Sequence, residues 1–418
     1  LVIGERAFEK CVSLKRVSVH TAKAGRAAFA FCLALEEAEL RGLEELEQRL
    51  FEGCSHLERC VCEQARFMDS YCLSGCGSLK AFDLRRVEEV GSYAFQDCDS
   101  LEEIVLGDGA VLRPHAFEDC GRLKSVELAG SAGSVRLYEY AFSGCTALSR
   151  VVRQGKPWDL RVYRDILSEE IPEAARLIFQ SALSCFEVEK EEILCGYRGL
   201  GRIVRIPEGI RRIEAEVFRD VLMLEEITIP ETVEYIGARA FHGTAWMEGQ
   251  RRLSRMVTVG DMLLDGSGCR GEVVIPENIR LICGWAFAGG IGIESIRFLS
   301  DRVRVEEYAF RNCIYLRELF FADGSSVTFQ GISDRERDFP TAFSALARQA
   351  VADSLNCFKT DENDVLVECT GNISKLLVAE GITEVGYNVF QDGNLLTENT
   401  LQFRVTSIGK NAFAGCRW

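Results

Sequence analysis

Apolar positions recur along this chain with a period much longer than that of any helix or strand. In Val90-Gly91-Ser92-Tyr93-Ala94-Phe95-Gln96-Asp97-Cys98-Asp99-Ser100-Leu101-Glu102-Glu103-Ile104-Val105-Leu106 an aliphatic residue and Gly are followed by Ala-Phe, Cys, Leu and two spaced aliphatics, with variable pairs between them. The aromatic anchor of this frame returns at Phe8, Phe29, Phe51, Phe95, Phe117 and Phe142, with Leu73 in its place once, at intervals of 21, 22, 22, 22, 22 and 25 residues. It resumes at Phe218 and Phe241, Phe287 and Phe310, and Phe390 and Phe413, each pair 23 apart. Self-similarity at such a period marks a repeat architecture. Leu101, Ile104 and Leu106 end on a period of two, which predicts a short strand with Val105 turned to the opposite face. Ala94-Phe95 through Leu101 steps by three, suiting a tight 3₁₀ or single helical turn. One coil has too few apolar side chains to offset its own ordering, whereas stacked coils bury both faces against neighbours. The expected fold is an α/β repeat solenoid of about thirteen 22–23-residue coils.

Two stretches break the period, and shifted by 172 residues they align without a gap: Leu183 on Leu355, Cys185-Phe186 on Cys357-Phe358, Ile193-Leu194 on Val365-Leu366. Each carries an amphipathic helical stripe, Ile171, Ala174, Ala175, Ile178, Phe179 and Leu183 in the first and Phe343, Leu346, Ala347, Ala350, Val351 and Leu355 in the second. Ser168 and Asp338 are the expected N-caps. After each helix, Glu187 to Ile206 and Lys359 to Val378 alternate around glycine and read as hairpins; Met262-Leu263-Leu264 to Val273-Val274-Ile275 reads as another. The helices are read as plugs over the solenoid core. The resulting organisation is a repeat array at 1–152, a helical insertion and hairpin at 153–202, an array with an internal hairpin at 203–321, a second insertion at 322–376 and terminal repeats at 377–418.

The frame resembles that of the BspA-like leucine-rich repeat family, whose units read I-G-x-x-A-F-x-x-C-x-x-L-x-x-I-x-I-P. Ile236-Gly237-Ala238-Arg239-Ala240-Phe241 matches its front and Leu224-Glu225-Glu226-Ile227-Thr228-Ile229-Pro230 its back. Ile206-Pro207 and Ile275-Pro276 repeat the strand-end proline. The resemblance implies a right-handed leucine-rich repeat array in a bacterial surface or secreted protein that adheres to host or bacterial macromolecules, with no catalytic residues. The chain departs from the family in its two insertions and in using Val221, Thr244, Gly290 and Gly393 at the Cys position.

Composition narrows the function further. Lys plus Arg is 49 against 64 Asp plus Glu, a net charge of −15, which disfavours nucleic acid and anionic membrane surfaces. No apolar run reaches the ~20 residues that span a bilayer. Leu1 already lies inside a repeat and no basic-then-apolar leader opens the chain, so its start says nothing about compartment. Of 18 cysteines, nine sit three residues after the anchor (Cys11, Cys32, Cys54, Cys76, Cys98, Cys120, Cys145, Cys313 and Cys416) and should stack as a buried ladder of free thiols. Cys60 and Cys62 fall on core positions, and no second C-x-x-C or His pair makes them a zinc site. His20, His56, His115 and His242 have no nucleophile or carboxylate at a catalytic spacing, and Gly196, Gly199 and Gly201 read as a hairpin turn. No catalytic, cofactor or metal residue is assigned.

The remaining candidate is the outer side of the strands. Its first variable position reads Lys15, Glu36, Glu58, Lys80, Glu102, Lys124 and Ser149, opposite charges mostly on adjacent coils, which predicts a self-neutralising face. The outward position between the two aliphatics is apolar at Val61, Val105, Val152 and Phe320, the candidate binding face. The expected function is non-enzymatic binding of a protein or glycan, without a cofactor, at a bacterial cell surface. Two alternatives stand beside it: an intracellular scaffold or adaptor, which free cysteines suit, and an enzyme hidden where an insertion meets the solenoid.

Overall fold

The computed structural model describes residues 1–129, 135–163, 165, 171–306, 308–311, 313, 315–328, 358–360, 365–369, 375–377, 384–390, 398–400 and 405–415. They fall into two compact units, residues 1–234 with 241–246, and residues 235–240 with 247–418.

In the first unit most coils supply two strands rather than the single one expected. Arg16–His20, Glu37–Arg41 and Arg59–Val61 pair in parallel, as do Glu103–Leu106, Ser125–Leu128 and Arg150–Arg153. Ile104, Val126 and Val151 share one inward row, fully or nearly fully buried. The aliphatic residue five before the anchor makes a second parallel ladder of two-residue strands: Glu45–Leu46, Phe67–Met68, Glu89–Val90, Val111–Leu112 and Arg136–Leu137. In the coil where Gly follows it, the preceding coil passes close by: a Cβ on Gly91 would stand 2.7 Å from the Met68 oxygen.

Between the ladders the anchors stack. Phe8 to Phe29, Phe29 to Phe51, Phe95 to Phe117 and Phe117 to Phe142 have ring centroids 5.1, 5.3, 4.9 and 5.2 Å apart. The expected 3₁₀ turn is instead a string of separate four-residue turns, closed by Ala94 N–H to Gly91 O, Gln96 to Tyr93, Cys98 to Phe95 and Leu101 to Cys98. They cannot merge into a helix because Tyr93 and Asp97, two residues on either side of the anchor, have φ of 58° and 57°. This left-handed backbone aims amides at the next coil. Two before the anchor, Ala27 N–H reaches Gln48 O; at the anchor, Phe95 N–H reaches Ala116 O; two after, Asp97 N–H reaches Glu118 O, all at 2.8–3.0 Å.

Helix α1, Glu173–Ala182, ends the first array. It begins behind Pro172, which makes no side-chain cap; the expected cap Ser168 and the helix expected in the second insertion, with Asp338, lie outside the described residues. Its buried face is Ala175, Ile178, Phe179 and Ala182; the first three lie on the expected stripe, Ala182 does not, and the expected Ala174 is only half-buried. The Phe142 amide, which in the preceding coils would bond a following coil, donates instead to Ser181 Oγ at 2.9 Å. The Gly144 N–H meets the Cys185 thiol in the same way. On the strand side, Lys156–Asp159 folds back antiparallel on Arg150–Arg153 and closes the exposed edge.

The hairpins lie elsewhere than the glycines suggest. Phe186–Glu189 pairs with Ile193–Tyr197, turning at Lys190 and Glu191, which take φ of 50° and 64°. Gly196 is inside a strand, and Ile203–Arg205 belongs to a parallel pair with Glu226–Thr228. Tyr197 then takes an anchor place, its ring 4.9 Å from Phe218, which stacks at 5.3 Å on Phe241.

The second unit repeats these devices. Gly271–Ile275, Ile293–Phe298 and Glu318–Phe320 run parallel, and Ser326–Thr328 returns antiparallel over the last. Met262–Asp265 forms its hairpin with Val257–Val259 rather than with residues 273–275. Ile296, Phe298, Leu319, Phe287 and Phe310 share one core. Phe358–Thr360 and Val365–Cys369 form a hairpin with the register of the first insertion: Phe358 faces Cys369 as Phe186 faces Tyr197, each 172 residues on.

Candidate binding surface

The outer side of the strands is neutralised in rows. Lys15 pairs with Glu36 at 3.5 Å, Lys80 with Glu58 at 2.6 Å and Lys124 with Glu102 at 2.9 Å, each across one coil. Glu39 accepts from Ser18 Oγ and Arg41, and the two bonds hold its carboxylate below the usual range, the guanidinium contributing most.

Within this face the apolar positions separate. Val105, Glu127, Val152 and Pro157 form one row, so Val105 and Val152 flank a carboxylate two coil spacings apart. Val61 lies in register with Glu39 on the other parallel sheet. Phe320 belongs to the second unit, in a row with Val274 and Arg297, whose guanidinium stands 4.1 Å over the ring and also holds Glu272 at 2.6 Å. Val274, 43 % exposed, occupies an equivalent outward position in a coil that lacks the full frame.

Val61 lines a cleft of about 930 Å³ with Glu36, Glu58, Lys80, Phe82 and Arg86. The cleft exists because the coil at residues 79–84 forms no strand. Asp83 Oδ1 accepts from Arg85 N–H, bending the chain, and Phe82 turns in until its ring meets Phe95 edge-on at 5.5 Å. Leu84 touches the next sheet only through a single bridge to Leu106. The frame Leu79-x-x-Phe82-x-Leu84 looks regular in sequence, so the interruption was not legible there.

The cysteine column is more than packing. Cys32, Cys54, Cys76, Cys98, Cys120, Cys145 and Cys313 each donate Sγ–H to the carbonyl of the anchor one coil earlier, at 3.0–3.4 Å. Burial pushes the Cys76 thiol up to about 12 and that of Cys98 well above its ordinary value. Cys60 and Cys62 lie on the cleft floor, 6 % exposed each. Among the described residues no three His, Cys, Asp or Glu side chains gather with metal-ligand geometry. His115 is stacked between Tyr93 and Tyr140, centroids 4.7 and 5.4 Å away, with Nδ1 2.8 Å from Glu118. His56 Nδ1 lies 2.7 Å from the Leu33 oxygen.

A second cleft, about 860 Å³, opens where the first insertion's exit passes the turn side of the first array. Asp97, Asp99 and Asp119 line it; Arg122 and Arg202 cross it to Glu226 and Glu225 at 2.7 and 2.8 Å. Burial, then the neighbouring carboxylates, push Asp119 up to about 8; burial and Asp97 push Asp99 up to about 6.

A sequence profile described as the BspA type leucine-rich repeat region matches residues 1–102, 66–156, 201–317 and 354–418, in six copies. The chain belongs to the BspA-type leucine-rich repeat family. Solved structures similar to this BspA-type chain include a leucine-rich repeat protein from Bacteroides ovatus (20 % identity, 97 % of this chain and 85 % of that one, TM-score 0.28). A leucine-rich cell surface protein from Faecalibacterium prausnitzii (18 %, 74 % and 83 %, 0.27) and the pneumococcal vaccine antigen PcpA (14 %, 69 % and 68 %, 0.25) are similar too. No curated protein matches the chain. No helix among the described residues is long and apolar enough to cross a membrane.

Proposed function

We propose that this BspA-type chain is a non-enzymatic binding protein that holds a protein or glycan at a bacterial cell surface. What carries the reading, besides family membership, is that the strand face neutralises its own charges yet keeps Val105 and Val152 outward around Glu127. A partner docking there gains apolar burial at Val105 and Val152 and meets the exposed Glu127 carboxylate between them with a cation or hydrogen-bond donor of its own. The test is capture of host matrix proteins and bacterial surface glycans by the intact chain, then by the Val105→Asp, Val152→Asp double variant. Because both side chains lie on the outer face, folding persists while retention falls by about tenfold or more; unchanged retention removes this face from the account.

The junction cleft supplies the converging titratable groups an enzyme would need. Its most perturbed carboxyl, Asp119, is 5 % exposed and accepts the Leu200 N–H, so it is engaged in holding the fold. An intracellular scaffold is the second reading, favoured by the thiol-to-carbonyl column, which uses each sulfur as a donor.

A further inference from the structure

Where the first insertion rejoins the repeats, residues 198–203 cross the turn side of the first array, and a buried carboxyl meets them there. Asp119, buried two residues after the anchor Phe117, accepts the Leu200 N–H. Its carboxyl is packed so closely that a Cβ on Gly144 or Gly201 would stand 2.0 or 2.9 Å from Oδ1. Charged and titratable groups surround it from every element packed there. Glu118 stands on its own coil, itself 2.8 Å from His115, and Asp97 and Asp99 stand on the coil before. Cys145 comes from the coil after, Cys185 from behind α1, and Tyr197 from the hairpin. The cations nearby, Arg202 and Arg122, are already paired with Glu225 and Glu226. A negative charge at Asp119 would therefore be desolvated, next to three carboxylates and without a cation of its own. The single amide bond it accepts does not balance that cost.

We propose that Asp119 is a proton-operated latch, its neutral carboxyl holding the 198–203 link against the first array and its ionisation releasing the link. The sign follows from linkage. In the opened link Asp119 is hydrated and titrates near the ordinary 3.8; in the closed link burial and like charge raise it to about 8. The closed form binds the extra proton, so closure is firmest in acid, weakens as pH rises from about 4 to 8, and is constant above that. Asp99, raised to about 6, adds to the lower half of this window.

The direct measurement is hydrogen exchange of the Leu200–Arg202 amides in the full chain at pH 5 to 9, corrected for intrinsic exchange. Protection is expected to fall by up to about tenfold per pH unit and to level off near pH 8. Asp119→Asn, always neutral, keeps protection high and flat above pH 6. Asp99→Asn removes a like charge and moves the levelling-off point to lower pH, and it decides the matter should Asp119→Asn fail to fold. Flat protection in the unmodified chain, or an unmoved profile in Asp99→Asn, overturns the latch; so does a folded Asp119→Asn that keeps the full pH dependence.

Discussion

Thirteen times the residue two before the anchor has a left-handed backbone, and not once is it glycine: Arg6, Ala27, Arg49, Tyr71, Tyr93, His115, Tyr140, Glu216, Arg239, Trp285, Tyr308, Asn388 and Asn411 all have φ between 53° and 67°. Each forgoes about 1 kcal/mol relative to an ordinary backbone. What offsets it is visible at Tyr71, Tyr93, His115 and Tyr140, whose rings stack one coil above the next at 4.9, 4.7 and 5.4 Å. Ala27 has no ring to stack. Ala27→Gly should therefore change stability by no more than about 0.5 kcal/mol or raise it, while Ala94→Gly, outside the left-handed region and fully buried, should cost about 1 kcal/mol or more. Urea midpoints at constant slope compare the two; equal losses would mean that the backbone at Ala27 is not strained. These dihedrals were invisible in the sequence because glycine, the usual marker of such a turn, is absent from it. The thiol-to-carbonyl bonds were hidden for a related reason: Val, Thr and Gly at the Cys position suggested size alone. Thr244, whose Oγ1 donates to the Phe241 oxygen at 2.9 Å, fits a donor role equally well.

At the scale of the element, α1 is a substitute coil. Ser181 and Cys185 receive two amides that earlier coils hand to their successors, and Ile178 and Phe179 cover the end of the array. Phe179→Ala should cost about 3–5 kcal/mol, as large deletions in a close-packed core do. Ser181→Ala should cost about 1–2 kcal/mol because it leaves the Phe142 amide without its acceptor. Thermal unfolding followed by circular dichroism measures both. A Phe179→Ala loss below about 1 kcal/mol would show that the helix lies on the array without sealing it. The centre of the α1 stripe, Ala175, Ile178 and Phe179, was legible, since burial every three to four residues leaves a clear signature. The hairpin turn was not, because Lys190-Glu191 lacks the Asn-Gly chemistry that announces such turns. The antiparallel returns at Lys156–Asp159 and Ser326–Thr328 were missed although Gln154-Gly155 and Asp323-Gly324 precede them.

Across the whole molecule the period itself was the strongest signal: it gave the solenoid, the stacking anchors and the charge rows. It was silent where one coil departs from the rest, as at Phe82 and Asp83, because a repeat frame records what neighbours share. The redox question also belongs to this scale. Fifteen of the described cysteines are free, and in the column Cys76 and Cys98 are buried donors whose thiols burial raises. Alkylation of the folded chain without reductant should modify the exposed Cys11 and spare Cys76 and Cys98, which react only after unfolding. Disulfide-linked column peptides in the mass spectrum would contradict the donor geometry and point to an oxidising compartment.

The two hairpins that agree in register 172 residues apart have a consequence for ancestry. Copying coils alone would leave each new terminus with bare amides and an open sheet edge. A block copied together with its antiparallel return, as at Lys156–Asp159 and Ser326–Thr328, arrives with its sheet edge already closed.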